Sequence, residues 1–326
     1  MTKVNHSNPP FNALIIGAGN IGAFFDTPNS EAILTHAHAY KNHQNFNLVG
    51  FIDKDPTKAK EAAKLWNCRS FNNLEEAFKE GPIDVVSVTA PDDYHYEILK
   101  NLSHLPLKLI FAEKPLAKTI KEAEEIVSIY QSKNIPVLVN YSRRFVNELS
   151  SIKENIESGL YGKYIVGNGY YGKGILHNGS HMIDLLRFLI GEISDFNCLN
   201  KVNDFYPDDP SISAYLQFSN GSSFNINAVD CRDFTIFEAD FIFEKARIRM
   251  LNSGFVIEEY FVEDNKIFKG YKNLNLKNVI NTSLSFALAN SADNIAKHLT
   301  ESQPLKCSLN DGYKALEVAL KITGAL

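Results

Sequence analysis

Ala13-Leu14-Ile15-Ile16-Gly17-Ala18-Gly19-Asn20-Ile21-Gly22 is the stretch on which the fold turns. Four apolar residues make a short buried strand, and the residues after them fit GxGxxG. Between a strand and a helix that pattern has a mechanical meaning. Gly17 and Gly19 permit a tight turn and close approach of a pyrophosphate, and Gly22 lets the following helix lie against the strand. A helix opening near Asn20 would present backbone N–H groups, those of Asn20 and Ile21 included, to an anion.

Working outward, Leu48–Ile52, Val85–Val88, Leu107–Ala112 and Val137–Val139 are further short apolar strands. They alternate with helical stretches at Pro56–Leu65, Leu74–Phe78 and Thr119–Ser132. Strands with no polar face, separated by helices, predict a doubly wound parallel sheet covered on both sides. This α/β Rossmann domain is expected over residues 1–140, with residues 1–10 a loose polar leader. Beyond Asn140 the rhythm changes. Helices are expected at Ile152–Ser158 and Asn178–Ile190, a strand at Tyr164–Tyr171, and strands broken by polar turns from Asp195 to Phe268. Helices at Leu284–Thr300 and Leu309–Thr323 close the chain. An α+β domain over residues 141–326, with a large open and mostly antiparallel sheet, follows from consecutive strands on short turns.

Composition bounds the function. The 326 residues are 44% apolar and 22% charged, enough for two globular domains. With 33 basic and 38 acidic side chains the net charge is −5, which lacks the basic surface a nucleic-acid partner needs. No apolar run is long enough to cross a bilayer. Phe11–Phe25 lacks the basic start and cleavage site of a signal peptide, so a cytoplasmic location is expected. The cysteines Cys68, Cys198, Cys231 and Cys307 are scattered and form no CxxC pair, which predicts small buried hydrophobes rather than zinc ligands or disulfides.

Asp53 ends the second strand. An acidic residue there hydrogen-bonds a ribose 2′-hydroxyl and repels a 2′-phosphate, which predicts NAD rather than NADP. Thr89 and Pro91 follow the strand Val85–Val88 and are expected at the cofactor; His95 is expected either towards its nicotinamide end or packing the start of a helix. The insertion-like stretch from Phe24 to Asn47 carries His36, His38 and His43. No carboxylate or cysteine at suitable spacing completes a metal site, and a role near the cofactor is only the minor alternative for His36.

Two segments carry proton chemistry. Glu113-Lys114-Pro115 follows an apolar strand, at the edge where α/β sheets bind ligands. A shielded lysine there can exchange a proton with a substrate oxygen, or hydrogen-bond it. In the second segment His177, His181 and Asp184 fall at i, i+4 and i+7, one stripe of a helix whose buried face is Met182, Leu185, Leu186 and Leu189, with Gly191 as its stop. Buried polar groups need partners. Either these three satisfy one another, or they line a pocket and move a proton. The second reading is adopted, and zinc is set aside for want of a third ligand.

Together these residues resemble the Gfo/Idh/MocA oxidoreductases, named for glucose–fructose oxidoreductase, inositol dehydrogenase and a rhizopine-catabolism protein. The resemblance rests on Glu113–Pro115, on VSVTAPDDYHYEI at Val86–Ile98, on Asn140–Phe145, on His181–Gly191 and on CSLNDGYKALEVAL from Cys307. It implies hydride transfer between nicotinamide and a carbon of a sugar, cyclitol or nucleotide sugar. It implies Lys114 and Glu113 at the cofactor and His181 as the acid/base. It implies a final helix, 309–323, packed back on the Rossmann domain, and a homo-oligomer, dimer or tetramer, joined through the second domain's sheet. Many of its dehydrogenases carry Asp four residues before the histidine; here the position is His177, so Asp184 is the candidate to orient His181. Arg143 and Arg144, with Lys114, His177 and His181, are candidate substrate contacts; at least one arginine could meet an anionic group, and a surface or interdomain salt bridge is the equal alternative. Two rival functions accompany the resemblance: an NAD-retaining glycosidase and a non-catalytic sensor of dinucleotide or sugar.

Overall fold

The computed structural model describes residues 10–324, so the expected leader lies, but for Pro10, outside the described residues. Strands β1 (Phe11–Ile16), β2 (Phe46–Ile52), β3 (Arg69–Phe71), β4 (Val85–Val88), β5 (Leu109–Ala112) and β6 (Val137–Val139) form one sheet, ordered β3-β2-β1-β4-β5-β6. Every pairing in it is parallel. The chain's winding reverses between β1 and β4, so a crevice opens outside their C-terminal ends. All residues of β4 and β5 are buried, as helices on both faces require.

Those helices are α1 (His36–Lys41), α2 (Pro56–Leu65), α3 (Leu74–Lys79), α4 (His95–Leu102) and α5 (Ile120–Lys133). Local chemistry sets their ends. Asp55 caps α2 by accepting from the Thr57 N–H, with Pro56 as its first residue. Thr119 and Glu122 cap α5 reciprocally, and Asn134 ends it in a left-handed conformation.

The helix expected from Asn20 is shorter than the pattern suggests. Asn20–Phe24 is a single wide turn in which the Phe25 N–H reaches the Asn20 carbonyl at 2.9 Å. A regular helix begins only at His36, capped by Thr35. Asp26 is the cause. Its carboxylate accepts from the Leu34 N–H (2.6 Å) and the Thr35 hydroxyl (2.6 Å) and meets His38 Nδ1 (2.8 Å), which gathers the intervening chain into a loop.

In the second unit, strands β7 (Tyr164–Tyr171), β8 (Ile193–Tyr206), β9 (Asp209–Phe218), β10 (Ser223–Ala228), β11 (Phe237–Phe243), β12 (Ala246–Leu251), β13 (Val256–Asp264) and β14 (Lys272–Asn281) form a sheet ordered β14-β13-β12-β11-β7-β10-β9-β8. It is antiparallel except between β10 and β7. One face is core: Gly167, Gly169 and Tyr171 point into it, and the absence of a side chain at Gly167 lets the Phe224 ring lie against the strand. The other face carries polar pairs such as Asn225 with Asn168, Arg247 with Asp240 and Arg249 with Glu258. Helices α6 (Asn147–Glu157) and α7 (Ser180–Leu189) belong to this unit.

The remaining helices are α8 (Ala287–Glu301) and α9 (Leu309–Gly324). Their allotment differs from expectation. The segment that returns to the Rossmann unit is Ser285–Leu309, and the residues from Asn310 onward belong to the second unit. Hydrogen bonds explain both. Ile33 N–H bonds the Ser285 carbonyl (3.0 Å) and Val139 N–H the Cys307 carbonyl (3.1 Å), whereas Arg187 of α7 donates to the Asp311 carbonyl (2.8 Å).

Candidate active site

A cavity of about 580 Å³ lies at the C-terminal ends of β1, β2 and β4. Gly17, Gly19, Asn20 and Ile21 form one wall, Asp53 and Lys54 another, and Thr89, Ala90 and Pro91 a third. The glycines divide the work. Gly17 has φ +107°, and a Cβ there would lie 2.4 Å from the Ala90 nitrogen. A Cβ on Gly22 would lie 2.4 Å from the Gly17 carbonyl oxygen, so Gly22 sits under the turn rather than on the wall. A Cβ on Gly19 would meet nothing within 4 Å. The turn is therefore closed on its protein side and open on the other, as a cradle for a pyrophosphate must be. Because the turn is short, attraction for an anion rests on its own N–H groups rather than on a long helix dipole.

Asp53 is fixed on the same turn. It accepts from the Ala18 N–H at 2.7 Å and the Asp55 N–H at 2.9 Å. A carboxylate has further acceptor sites, which suit a ribose hydroxyl, while its charge opposes a 2′-phosphate. The neighbouring Lys54 donates to the Tyr94 hydroxyl at 2.9 Å and lies 4.6 Å from that ring's centre. The residues present thus fit a dinucleotide. Thr89 locks the turn from behind, its hydroxyl donating to the Gly17 carbonyl at 2.7 Å.

His95 and Glu113 stand elsewhere than the cofactor wall. His95 is 1% exposed, with its ring nitrogens 2.6 Å from the Pro115 carbonyl and 2.7 Å from the Ala90 carbonyl, so it fastens two loops together. Glu113 is buried and accepts from Asn140 Nδ2 at 2.6 Å, with His36 Nε2 at 3.0 Å. The other nitrogen of His36 meets Ser87 Oγ (2.9 Å), which meets the Tyr40 hydroxyl (2.7 Å). A polar chain Tyr40–Ser87–His36–Glu113–Asn140 thus runs inside the Rossmann unit. Burial pushes the Glu113 carboxyl up, but His36, Asn140 and Lys114 together outweigh it and hold the group below the usual range. Tyr40, desolvated, is pushed well above its ordinary value. Lys114 follows at the end of β5, half-buried, and its bond to Pro115 is cis.

In the second unit the expected stripe is broken. Gly174–Gly179 forms a wide turn before α7, entered through left-handed Lys173 and Gly174. His177 lies in that turn, not in the helix with His181 and Asp184. Its Nδ1 is 2.8 Å from Asp209 Oδ2, and its ring stacks on Tyr206 at 4.0 Å. Asp209 also accepts from the N–H groups of Leu176 and His177, both at 3.0 Å. His181 packs edge-on against Tyr141 at 5.3 Å.

Asp184, the candidate to orient His181, is itself bound by an arginine. It is 1% exposed, and Arg144 grips both its oxygens at 2.9–3.0 Å. Arg144 is also paired with Asp311 at 3.2 Å. Arg143 is buried, stacked 3.6 Å over Phe237 and donating to the Ser253 carbonyl at 2.8 Å. Burial pushes its pKa down to about 9. The sequence pattern passed over Asp209 because it lies between Asp208 and Pro210 and reads as a solvated turn residue. Ser87 and Asn140 entered the sequence reading only as members of the Val86–Ile98 and Asn140–Phe145 elements, with no role of their own. Among the described residues no three His, Cys, Asp or Glu are grouped to hold a metal ion.

The fold and the cavity define a dinucleotide-binding protein of the Rossmann class. Residues 11–141 match the family described as "Oxidoreductase family, NAD-binding Rossmann fold". That family is Gfo/Idh/MocA, and the match covers the parallel-sheet part of the chain. Among curated relatives, an uncharacterized oxidoreductase of Schizosaccharomyces pombe is 26% identical over 48% of this chain and 40% of that protein. The D-apiose dehydrogenase of Rhizobium rhizogenes is 22% identical over 57% of this chain and 59% of that protein. Both matches span less than two thirds of the relative. The crystal structure of a putative NADPH-dependent oxidoreductase from Desulfitobacterium hafniense superposes with a TM-score of 0.81, covering 98% of this chain and 96% of that one at 16% identity, which is a likeness of fold.

Proposed function

We propose that the protein is an NAD-dependent dehydrogenase that oxidises a secondary hydroxyl of a sugar, cyclitol or nucleotide sugar, or reduces the corresponding ketone. The observation that carries this reading is the cavity at the β1 and β4 ends, open at Gly19 and bounded by Asp53. The relative described as a D-apiose dehydrogenase supports a sugar-like substrate. The dinucleotide, when bound, accepts or donates the hydride. Lys114 polarises the reacting oxygen through its ammonium, and His181 takes or returns the hydroxyl proton. The buried chain behind Glu113 keeps the Glu113–Pro115 turn, and so Lys114, in one position. A homo-oligomer formed through the second unit's sheet belongs to the same reading. Tyr170, Tyr215 and Val279 are exposed on that sheet, and light scattering after gel filtration reads the assembly. No described helix is long and apolar enough to cross a membrane, in keeping with the cytoplasmic location proposed here.

The test is parallel titration with NADH and NADPH. The protein's single tryptophan, Trp66, is buried and donates to the Ala23 carbonyl of the glycine turn, so its emission reports directly on the cradle. NADH is expected to bind at least about tenfold more tightly, a discrimination that Asp53→Asn reduces. A panel of sugars and cyclitols is then expected to change absorbance at the reduced nicotinamide band. Tighter NADPH binding overturns the role of Asp53, and binding of neither overturns the dehydrogenase.

A further inference from the structure

Asp53 is not alone at the end of β2, because a cation follows it. Lys54 lines the cavity beside Asp53, and Lys58 of α2 lines it too. A 2′-phosphate brought to this strand end is repelled by Asp53, yet an ammonium one residue away can neutralise it. How readily Lys54 turns to such a phosphate depends on what already holds it. It reaches Tyr94, the last residue of the short turn Asp92–Tyr94 after β4. Strands β2 and β4 flank β1 on either side, so the contact runs across the crevice at the end of β1. The ammonium donates to the Tyr94 hydroxyl at 2.9 Å and lies 4.6 Å from the ring centre. The hydroxyl, with Asp53 and Asp93 near by, holds the lysine's pKa above its ordinary value. Asp93 is itself paired with Lys118 at 2.5 Å, which leaves Tyr94 as the main hold. A chance surface contact accounts for the hydrogen bond alone. It does not account for a half-exposed tyrosine that lines the same cavity and offers the lysine both its oxygen and its ring.

We infer that Tyr94 is a specificity-determining residue: it draws the Lys54 ammonium across the crevice and so withholds from a 2′-phosphate the charge beside Asp53 that could neutralise it. This rests on the proposed dinucleotide cavity and deepens its preference for NAD. Two residues then act on the same phosphate in different ways. Asp53 repels it directly. Tyr94 makes the neighbouring cation harder to recruit, since Lys54 must give up both the hydroxyl and the ring before it can pair. At an exposed site those contacts are together worth about three- to tenfold in an equilibrium constant. NADH has no 2′-phosphate and asks nothing of Lys54, so its affinity is insensitive to the hold. The discrimination is thus shared between the end of β2 and a residue 40 positions from Lys54 in the sequence.

Binding titrations of the full chain with NADH and NADPH, followed by Trp66 emission and by calorimetry, test this. Tyr94→Phe keeps the ring and removes the hydroxyl, whereas Tyr94→Leu removes both. NADPH affinity is expected to rise about threefold in the first and about five- to tenfold in the second, with NADH affinity within about twofold. In a Lys54→Met background the gain from Tyr94→Leu should vanish, and in a Lys58→Met background it should persist. The gain should also shrink in about 0.5 M salt, because it is a pairing of exposed charges. Tyr94 is 42% exposed, so both variants should fold. No rise in NADPH affinity in Tyr94→Leu, a rise that survives Lys54→Met, or equal weakening of both dinucleotides overturns the inference. A wild type that prefers NADPH, and gains further in Tyr94→Leu, breaks the NAD assignment but keeps the hold on Lys54. The expected affinities with no turnover of any sugar break the dehydrogenase reading alone. Binding of neither dinucleotide overturns both.

Discussion

The turns at Gly17 and Gly174 are built alike and do opposite things. Each starts at a glycine of positive φ, +107° and +83°, and each is a single wide turn. In each a carboxylate from a strand end takes backbone N–H groups of the turn, Asp53 in the first and Asp209 in the second. The first is open beside Gly19. The second is filled, since a Cβ on Gly174 would lie 2.0 Å from the Asp209 carboxylate. One scaffold thus leaves room for a ligand, and the other grips a side chain.

The sharpest break in this comparison lies in α7, the helix that the second turn leads into. Asp184→Asn removes half of a buried ion pair and should cost about 3–5 kcal/mol in urea denaturation, with kcat of the folded protein within about threefold of wild type. A hundredfold loss of kcat at unchanged stability would return Asp184 to the proton chemistry. Gly174→Ala should cost about 2–3 kcal/mol, through strain and displacement of Asp209, without weakening NADH. Weakened NADH binding would show that the two turns are not independent. Glu113→Gln should cost about 1–2 kcal/mol at neutral pH. Because the folded carboxyl is held below its unfolded value, that contribution is present above about pH 4.3 and fades as pH falls through the folded value, so the two denaturation curves should converge in acid. Gly19→Ala should have the smallest effect on stability, within about 0.5 kcal/mol, while NADH affinity falls about tenfold as the methyl enters the cradle.

How much of this was legible depends on distance along the chain. The glycine turn and Asp53 were readable because a strand, a turn and a second strand's end carry all the information within a few dozen residues. The parallel sheet was readable because its strands have no polar face. The length of the first helix was not, since Asp26 competes for backbone groups that the apolar pattern does not count. The stripe of His177, His181 and Asp184 failed for a similar reason. Periodicity assumes a regular helix, and a carboxylate more than thirty residues away reshapes the turn that holds His177. Arg144, a candidate for substrate on its charge, went to Asp184 because a buried carboxylate needs a partner more than a surface does.

The bond from Val139 to Cys307 has a consequence for how the chain is made. On β6, the last strand of the parallel sheet, Leu138 is bridged by Ser308, which belongs to a segment synthesised after every strand of the second unit. Until that segment leaves the ribosome, the outer rim of β6 is an unpaired strand edge beside a buried apolar surface, the kind of edge that recruits other chains. The first unit to begin folding is therefore among the last to be sealed, and a nascent chain stalled anywhere before residue 285 carries that open edge with it.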